Sequence, residues 1–183
     1  MIRSLHIAPG VAVLLVAATN TVLAQTSQPA TGMTGAKAIA VIHATQGNQV
    51  KGTVVFVEEA GGVRVTASIS GLSPGLHGFH IHEFGDASSA DGTAAGAHFN
   101  PSGHPHNGPS ATNRHAGDLG NLTADATGNA TLNWLDPHIS LSGPHAIIGR
   151  SVVVHEKADD LTTQPTGNAG GRIGVGIIGI AKK

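Results

Sequence analysis

The chain contains no cysteine. That absence excludes disulfides and thiolate metal sites alike. Charge is also scarce: Asp, Glu, Lys and Arg make up 11% of 183 residues, and ten bases against eleven acids leave a formal net charge of −1. So even a balance gives no general pull toward nucleic acid or anionic lipid, and so little charge does not suit a solvated coiled coil. Aromatics are only 3%, whereas glycine occurs 26 times, a mixture suited to many short strands joined by Gly turns. At this length, with 40% apolar residues, one domain with a proper core is expected. Against the thin charge inventory stand twelve histidines, more than the acids or the bases taken separately. Imidazole is the commonest metal ligand in proteins, so metal binding is the first functional expectation.

The N-terminus reads as a targeting segment. Arg3 is followed by an apolar stretch from Ile7 to Ala18 that is too short to span a bilayer, and Val22-Leu23-Ala24 ends in the small residue a signal peptidase requires. Residues 1–24 are therefore expected to be removed after Ala24, placing the protein in the periplasm or outside the cell. No cysteine follows for lipidation, and no membrane anchor is expected. Loss of Arg3 leaves nine bases against eleven acids, a balance of −2. Residues 25–35 are polar, with Pro and Gly, and have linker composition. The folded domain is expected over 36–183.

From Lys37 onward the chain alternates in the manner of strands. Strands are expected at 37–44, 53–58, 63–70, 78–84, 118–124, 130–135, 147–155 and 172–181, with Val63, Val65, Ala67 and Ile69 on one face. No amphipathic helix is legible. About eight strands imply an all-β Greek-key sandwich or flattened barrel. Two stretches, Gly85 to Asn113 and Glu156 to Gly171, hold almost no strand pattern. Compact domains rarely carry such long loops unless the loops work or something orders them, and bound metal could serve as the clip.

The ligand spacing supports that expectation. His80 and His82 lie at i and i+2, so both rings leave a strand on the same face and can share one ion, although an exposed polar strand face gives the same spacing. His155 closes the apolar run Val152-Val153-Val154 and could equally be a satisfied core residue. His98, His106, His115 and Asp118 are three imidazoles and one carboxylate, a set that suits tetrahedral zinc.

Five ordered blocks carry a closer likeness: Gly78-Phe79-His80-Ile81-His82-Glu83-Phe84-Gly85-Asp86, Gly96-Ala97-His98-Phe99-Asn100-Pro101, Arg114-His115-Ala116-Gly117-Asp118-Leu119-Gly120-Asn121, Gly149-Arg150 through Asp160, and Gly167-Asn168-Ala169-Gly170-Gly171-Arg172. Together they resemble the copper/zinc superoxide dismutase family over essentially the whole domain, a family that is itself among the known sandwich folds. The resemblance implies one copper per subunit on His80, His82, His98 and His155, and one zinc on His98, His106, His115 and Asp118, with His98 bridging. His106 is preferred to His104 because it precedes the small-residue turn Asn107-Gly108-Pro109. Asp159 falls where the family has a carboxylate that hydrogen-bonds ligands of both metals. Arg172 matches the arginine that guides the anion toward copper, and Thr166 would line the same channel. The implied reaction turns two superoxide ions and two protons into O2 and H2O2 by a copper redox cycle, His98 releasing copper and carrying a proton, while zinc stays redox-silent and structural.

The sequence also departs from the family pattern. The family disulfide would join positions that are here Gly92 and Val175. Loss of such a bond costs about 2–5 kcal/mol in a small secreted domain, so packing or metal must offset it, and the placing of Arg172 depends on what does so. The Glu156 to Gly171 loop lacks the acidic and lysine insert of the animal enzymes, which predicts weaker steering of the substrate. Ala97 stands where a proline is common. The stretches 147–150 and 176–181 resemble the apolar dimer patch of the eukaryotic type, which implies a homodimer. A copper or zinc storage or carrier protein is the alternative reading, but such relatives tend to lose ligands, and here the full set is present.

Overall fold

The computed structural model describes Met1 and residues 35–182. The expected signal segment after Met1 and all of the linker except Gly35 lie outside the described residues, as does Lys183. Among the described residues no helix is long and apolar enough to cross a membrane.

Eight strands build the domain: β1 (Lys37–Ala44), β2 (Lys51–Glu59), β3 (Gly62–Ser70), β4 (Gly75–His82), β5 (Asp118–Ala124), β6 (Ala130–Asp136), β7 (Ser151–His155) and β8 (Arg172–Ile180). All their pairings are antiparallel, in the order β5-β4-β7-β8-β1-β2-β3-β6. The edge strands β5 and β6 approach each other, so the sheet is nearly closed into a barrel. Near-closure protects the two edges from pairing with other chains. The chain crosses from one half of the barrel to the other between β3 and β4, from β5 to β6 and again from β6 to β7, which gives the Greek-key connectivity.

Side chains alternate in and out along each strand, and the core follows from that period. Val63, Val65, Ala67 and Ile69 of β3 are buried as their spacing requires, and they pack with Ile42, Phe56, Phe79, Ile81, Leu122 and Ile178. Several strand limits differ from the sequence expectation. Strand β2 begins at Lys51. Strand β4 runs from Gly75 and stops at His82, after which Phe84 turns out to solvent. The apolar run 147–150 precedes β7 as a turn, closed by Arg150 N–H donating to Ile147 C=O at 3.1 Å. Ile147 is fully buried there, so its hydrophobicity signals packing and not strand.

On β4 the alternation positions the site. Phe79 and Ile81 point into the barrel, so His80 and His82 must leave the outer face, yet they are also buried. The cover comes from the two long loops, 83–117 and 156–171. The first carries a single 3-10 turn, Thr93–Ala95. It returns along β4 as an isolated bridge between His82 and His98, with Phe99 N–H donating to Ile81 C=O at 2.8 Å. Outward-facing Val153 of β7 and Val175 of β8 meet Ala95 beneath that loop in a small apolar cluster separate from the main core.

Candidate metal centre

Two groups of four buried ligands lie side by side and share His98. His80, His82, His98 and His155 form one, and His98, His106, His115 and Asp118 the other, the candidate ligand atoms of each lying within 4.8 Å of one another. The strands supply His80, His82, His155 and Asp118, and the long loop supplies the rest. A tight turn sets His115 beside Asp118, whose N–H donates back to His115 C=O at 3.2 Å.

In the second group Asp118 Oδ1 lies 2.9 Å from His98 Nδ1, 3.0 Å from His106 Nδ1 and 3.2 Å from His115 Nδ1, and the Nδ1 atoms of His98 and His115 are 3.4 Å apart. A tetrahedral zinc with bonds of about 2.0–2.1 Å needs ligand atoms about 3.3–3.4 Å from each other. These four separations lie at or a little below that value, and the remaining ones are within 4.8 Å. The other carboxylate oxygen, Oδ2, accepts from the backbone N–H of Asn107 at 3.1 Å and of His115 at 3.0 Å, which fixes the carboxylate plane.

In the first group the protons on the ring nitrogens decide which lone pairs are free. His80 Nε2 donates to Asp159 Oδ2 at 2.8 Å, which leaves Nδ1 as a lone pair, and that atom is buried with no hydrogen-bond partner. His82 Nδ1 donates to Gly96 C=O at 2.9 Å and His155 Nδ1 to Gly170 C=O at 3.3 Å, leaving two Nε2 lone pairs that face each other at 3.3 Å. His98 Nε2 is likewise buried without a partner. These tautomers follow from the hydrogen-bond partners. Burial, followed by neighbouring imidazoles, pushes His155 down to about 3 and His82 well below the usual imidazole range, so neither ring relieves the opposition by taking a second proton at neutral pH. Four convergent buried lone pairs are costly unless a cation sits among them. The donor set therefore fits a copper ion, and the neighbouring set fits zinc.

The carboxylate of Asp159, 3% exposed, couples the groups. It accepts from His80 with Oδ2 and from His106 Nε2 with Oδ1 at 2.9 Å. Burial opposes ionisation of both Asp159 and Asp118, but hydrogen bonds from histidine outweigh it and hold both carboxyls well below the ordinary range. His106 is pushed up to about 9, because Asp118 and Asp159 at its two ring nitrogens overcome the cost of burial. His98, with burial dominant, falls to about 4. Gly167 adopts φ 65°, and a Cβ there would collide with Asp159 and His106, so glycine is required at that point of the loop.

Arg172 opens β8, paired with His155. Its guanidinium donates from Nη1 to Gly92 C=O at 2.7 Å and from Nη2 to Gly96 C=O at 2.6 Å. The second carbonyl also accepts from His82, so a single oxygen links the guanidinium to the first ligand group. Thr166 is half-buried on the other long loop, and His104, also half-buried, joins neither group.

Several supporting residues had no separate signal in the sequence. Gln164 clamps the His106 peptide from both sides: its Oε1 accepts from His106 N–H at 2.8 Å and its Nε2 donates to His106 C=O at 2.8 Å. Asn121 does the same for Asp159, donating to its C=O at 2.9 Å and accepting from its N–H at 2.8 Å. Buried His77 donates from Nδ1 to His155 C=O at 2.8 Å. Arg114, fully enclosed, holds the His115 and Ala116 carbonyls and pairs with Asp136 on the far edge strand at 2.6 Å. Each acts across a long sequence separation or through backbone atoms, where spacing carries no information.

A model of the copper/zinc superoxide dismutase family matches residues 50–178. Among solved structures, one described as the crystal structure analysis of the clock protein EA4 is 46% identical, superposes with a TM-score of 0.74, and is matched over 81% of this chain and 96% of its own.

Proposed function

Starting from a chain that belongs to the copper/zinc superoxide dismutase family, we propose that this protein disproportionates superoxide, converting two superoxide ions and two protons to O2 and H2O2. The observation that carries the reading is the pair of complete ligand groups joined by His98, with the Arg172 guanidinium one carbonyl away. Copper held by His80, His82, His98 and His155 would supply the one-electron redox chemistry, with zinc on His98, His106, His115 and Asp118 supplying a fixed charge and a closed loop.

The remaining work belongs to the chain. Nε2 of His98 has no partner outside the first group, so it is the atom at which a proton is held and handed to departing peroxide. Arg172 offers its planar donors to the anion and attracts it over the last ångströms. Asp159 fixes the tautomers of His80 and His106, and thereby which nitrogen faces each metal. Thr166 lines the approach. Superoxide is the only substrate the reading requires, and neither nucleic acid nor membrane enters it. Export after cleavage at Ala24 belongs to the same proposal. So does a homodimer through the apolar stretches 147–150 and 176–181, where Ile177 is 48% exposed and Ile180 80%.

The test is metal analysis and superoxide consumption on one sample. One copper and one zinc per chain with rapid consumption is expected. Full loading with consumption no faster than that of the zinc-only protein would make the chain a metal store or carrier instead. Light scattering of the same sample gives the oligomeric state, with a dimer expected.

A further inference from the structure

We infer that Thr45, acting with a close contact between Gly92 and Val175, positions the Arg172 guanidinium in place of a covalent staple. The inference rests on the proposed role of Arg172 as the anion's guide. Its head is held by the carbonyls of Gly92 and Gly96, so its position is only as firm as that corner of the loop. Gly92 adopts φ 75° and ψ 6°, in the left-handed region. A Cβ built there would lie 2.8 Å from Val175 Cγ2 and 3.3 Å from both Arg172 Cβ and Thr45 Cγ2. The bare peptide is thus packed on three sides. Val175, 5% exposed, is itself seated on fully buried Ala95 and Val153, which ties the corner to β7 and β8 by apolar contact.

Thr45 closes the arrangement from the β1–β2 turn. Its hydroxyl donates to the Arg172 carbonyl at 2.6 Å and accepts from Asn48 Nδ2 at 2.9 Å. The Thr45 N–H donates to Ile173 C=O at 3.2 Å, and the next N–H, of Gln46, donates to Ala90 C=O at 2.8 Å. One short turn therefore grips the main chain of Arg172 and the loop segment that receives its head. Thr45 is a positioning residue: it fixes the root of the side chain while Gly92 and Gly96 fix the tip. Since none of these links is a disulfide, the arrangement does not respond to thiol redox conditions.

The experiment loads wild type, Thr45→Val and Thr45→Ser with copper and zinc and titrates each with azide, a small anion whose binding to copper is read from its absorption band. Thr45→Val keeps the shape and removes the hydroxyl, and azide affinity is expected to fall about threefold to tenfold, the worth of one ordinary hydrogen bond. Metal content should not change, and Thr45→Ser should restore the affinity. Asn48→Ala, which frees the hydroxyl without touching Arg172, should weaken azide binding to a smaller degree. It serves as the second reading if Thr45→Val loads metal poorly. Unchanged affinity in Thr45→Val and Asn48→Ala overturns the inference, as does an equal loss in Thr45→Ser. A wild type that binds azide yet consumes no superoxide defeats the dismutase reading, while the azide series still decides the role of Thr45.

Discussion

Replacing Asp159 with asparagine should weaken both metal sites at once, because one buried carboxylate accepts from a ligand of each: His80 at 2.8 Å and His106 at 2.9 Å. Asparagine has the same shape but one acceptor where the carboxylate has two, so one imidazole N–H must face an amide N–H. A hydrogen bond to a charged group contributes about 1.5–3 kcal/mol, which corresponds to a factor of about 10–100 in an equilibrium constant. Outer carboxylates on metal-bound histidines typically alter affinity over that same range of about 10–100-fold. The expected result for Asp159→Asn is zinc affinity lower by about that factor, with copper affinity also reduced as His80 loses the partner that keeps its Nδ1 unprotonated. The assay is competition against a chelating indicator, one metal at a time at fixed pH, with metal per chain measured afterward. Affinities for both metals indistinguishable from wild type would refute the view that Asp159 couples the sites. A loss confined to zinc would show that His80 keeps its tautomer by other means.

Four further outcomes are expected. Arg172→Ala should slow superoxide consumption and flatten its dependence on ionic strength with both metals retained, since it removes a guanidinium beside His82; an unchanged rate at low salt would place the anion's path elsewhere. Gln164→Leu removes both bonds to the His106 peptide and should lower zinc affinity and speed zinc exchange, whereas copper affinity should hardly move; equal losses at both metals would mean a general loosening of the fold. A non-chelating phosphine reductant should leave the melting temperature of the zinc-loaded protein unaltered, because there is no disulfide to reduce, while zinc removal should lower it sharply; identical melts with and without zinc would assign the stability to the barrel core alone. Because His106 is pushed up to about 9, it is an imidazolium at pH 7 without metal and must release its Nδ1 proton as zinc binds. Zinc affinity should therefore rise with pH up to about 9, with proton release measured by calorimetry in two buffers of different ionisation heat; no release at pH 7 would refute it. The sign is opposite for folding without metal: the contribution of His106 is full below its unfolded pKa of about 6.5 and is lost as pH rises through about 9.

The candidate metal ligands were legible because their chemistry leaves a local mark. Two histidines at alternate positions must share a strand face, and a histidine three residues before an aspartate can share its turn. Resemblance to a known family supplied the grouping, and the structure brings all seven side chains together as that grouping implies. Asp159 could be named for the same reason. Position 92 is different: the missing cysteine showed that something had to replace the staple, but not what. Val175 reads as one more strand valine, and Thr45 as an ordinary turn residue. Their contacts with Gly92 and Arg172 join positions far apart in the chain.

Composition and period by themselves determined an all-β domain, a histidine-borne site and a chemistry without thiols, since strand alternation and ligand type are properties of each residue and its near neighbours. Where strands end was decided by the tertiary fold: Ile147 is as apolar as any strand residue but is buried in a turn, and β4 stops at His82 because the chain must leave the sheet to cover its own histidines. The fold also decided which imidazole nitrogen is bare. A tautomer is chosen by the acceptor that reaches the other nitrogen, and those acceptors, Asp159, Gly96 and Gly170, come from loops that pack only once the barrel has formed.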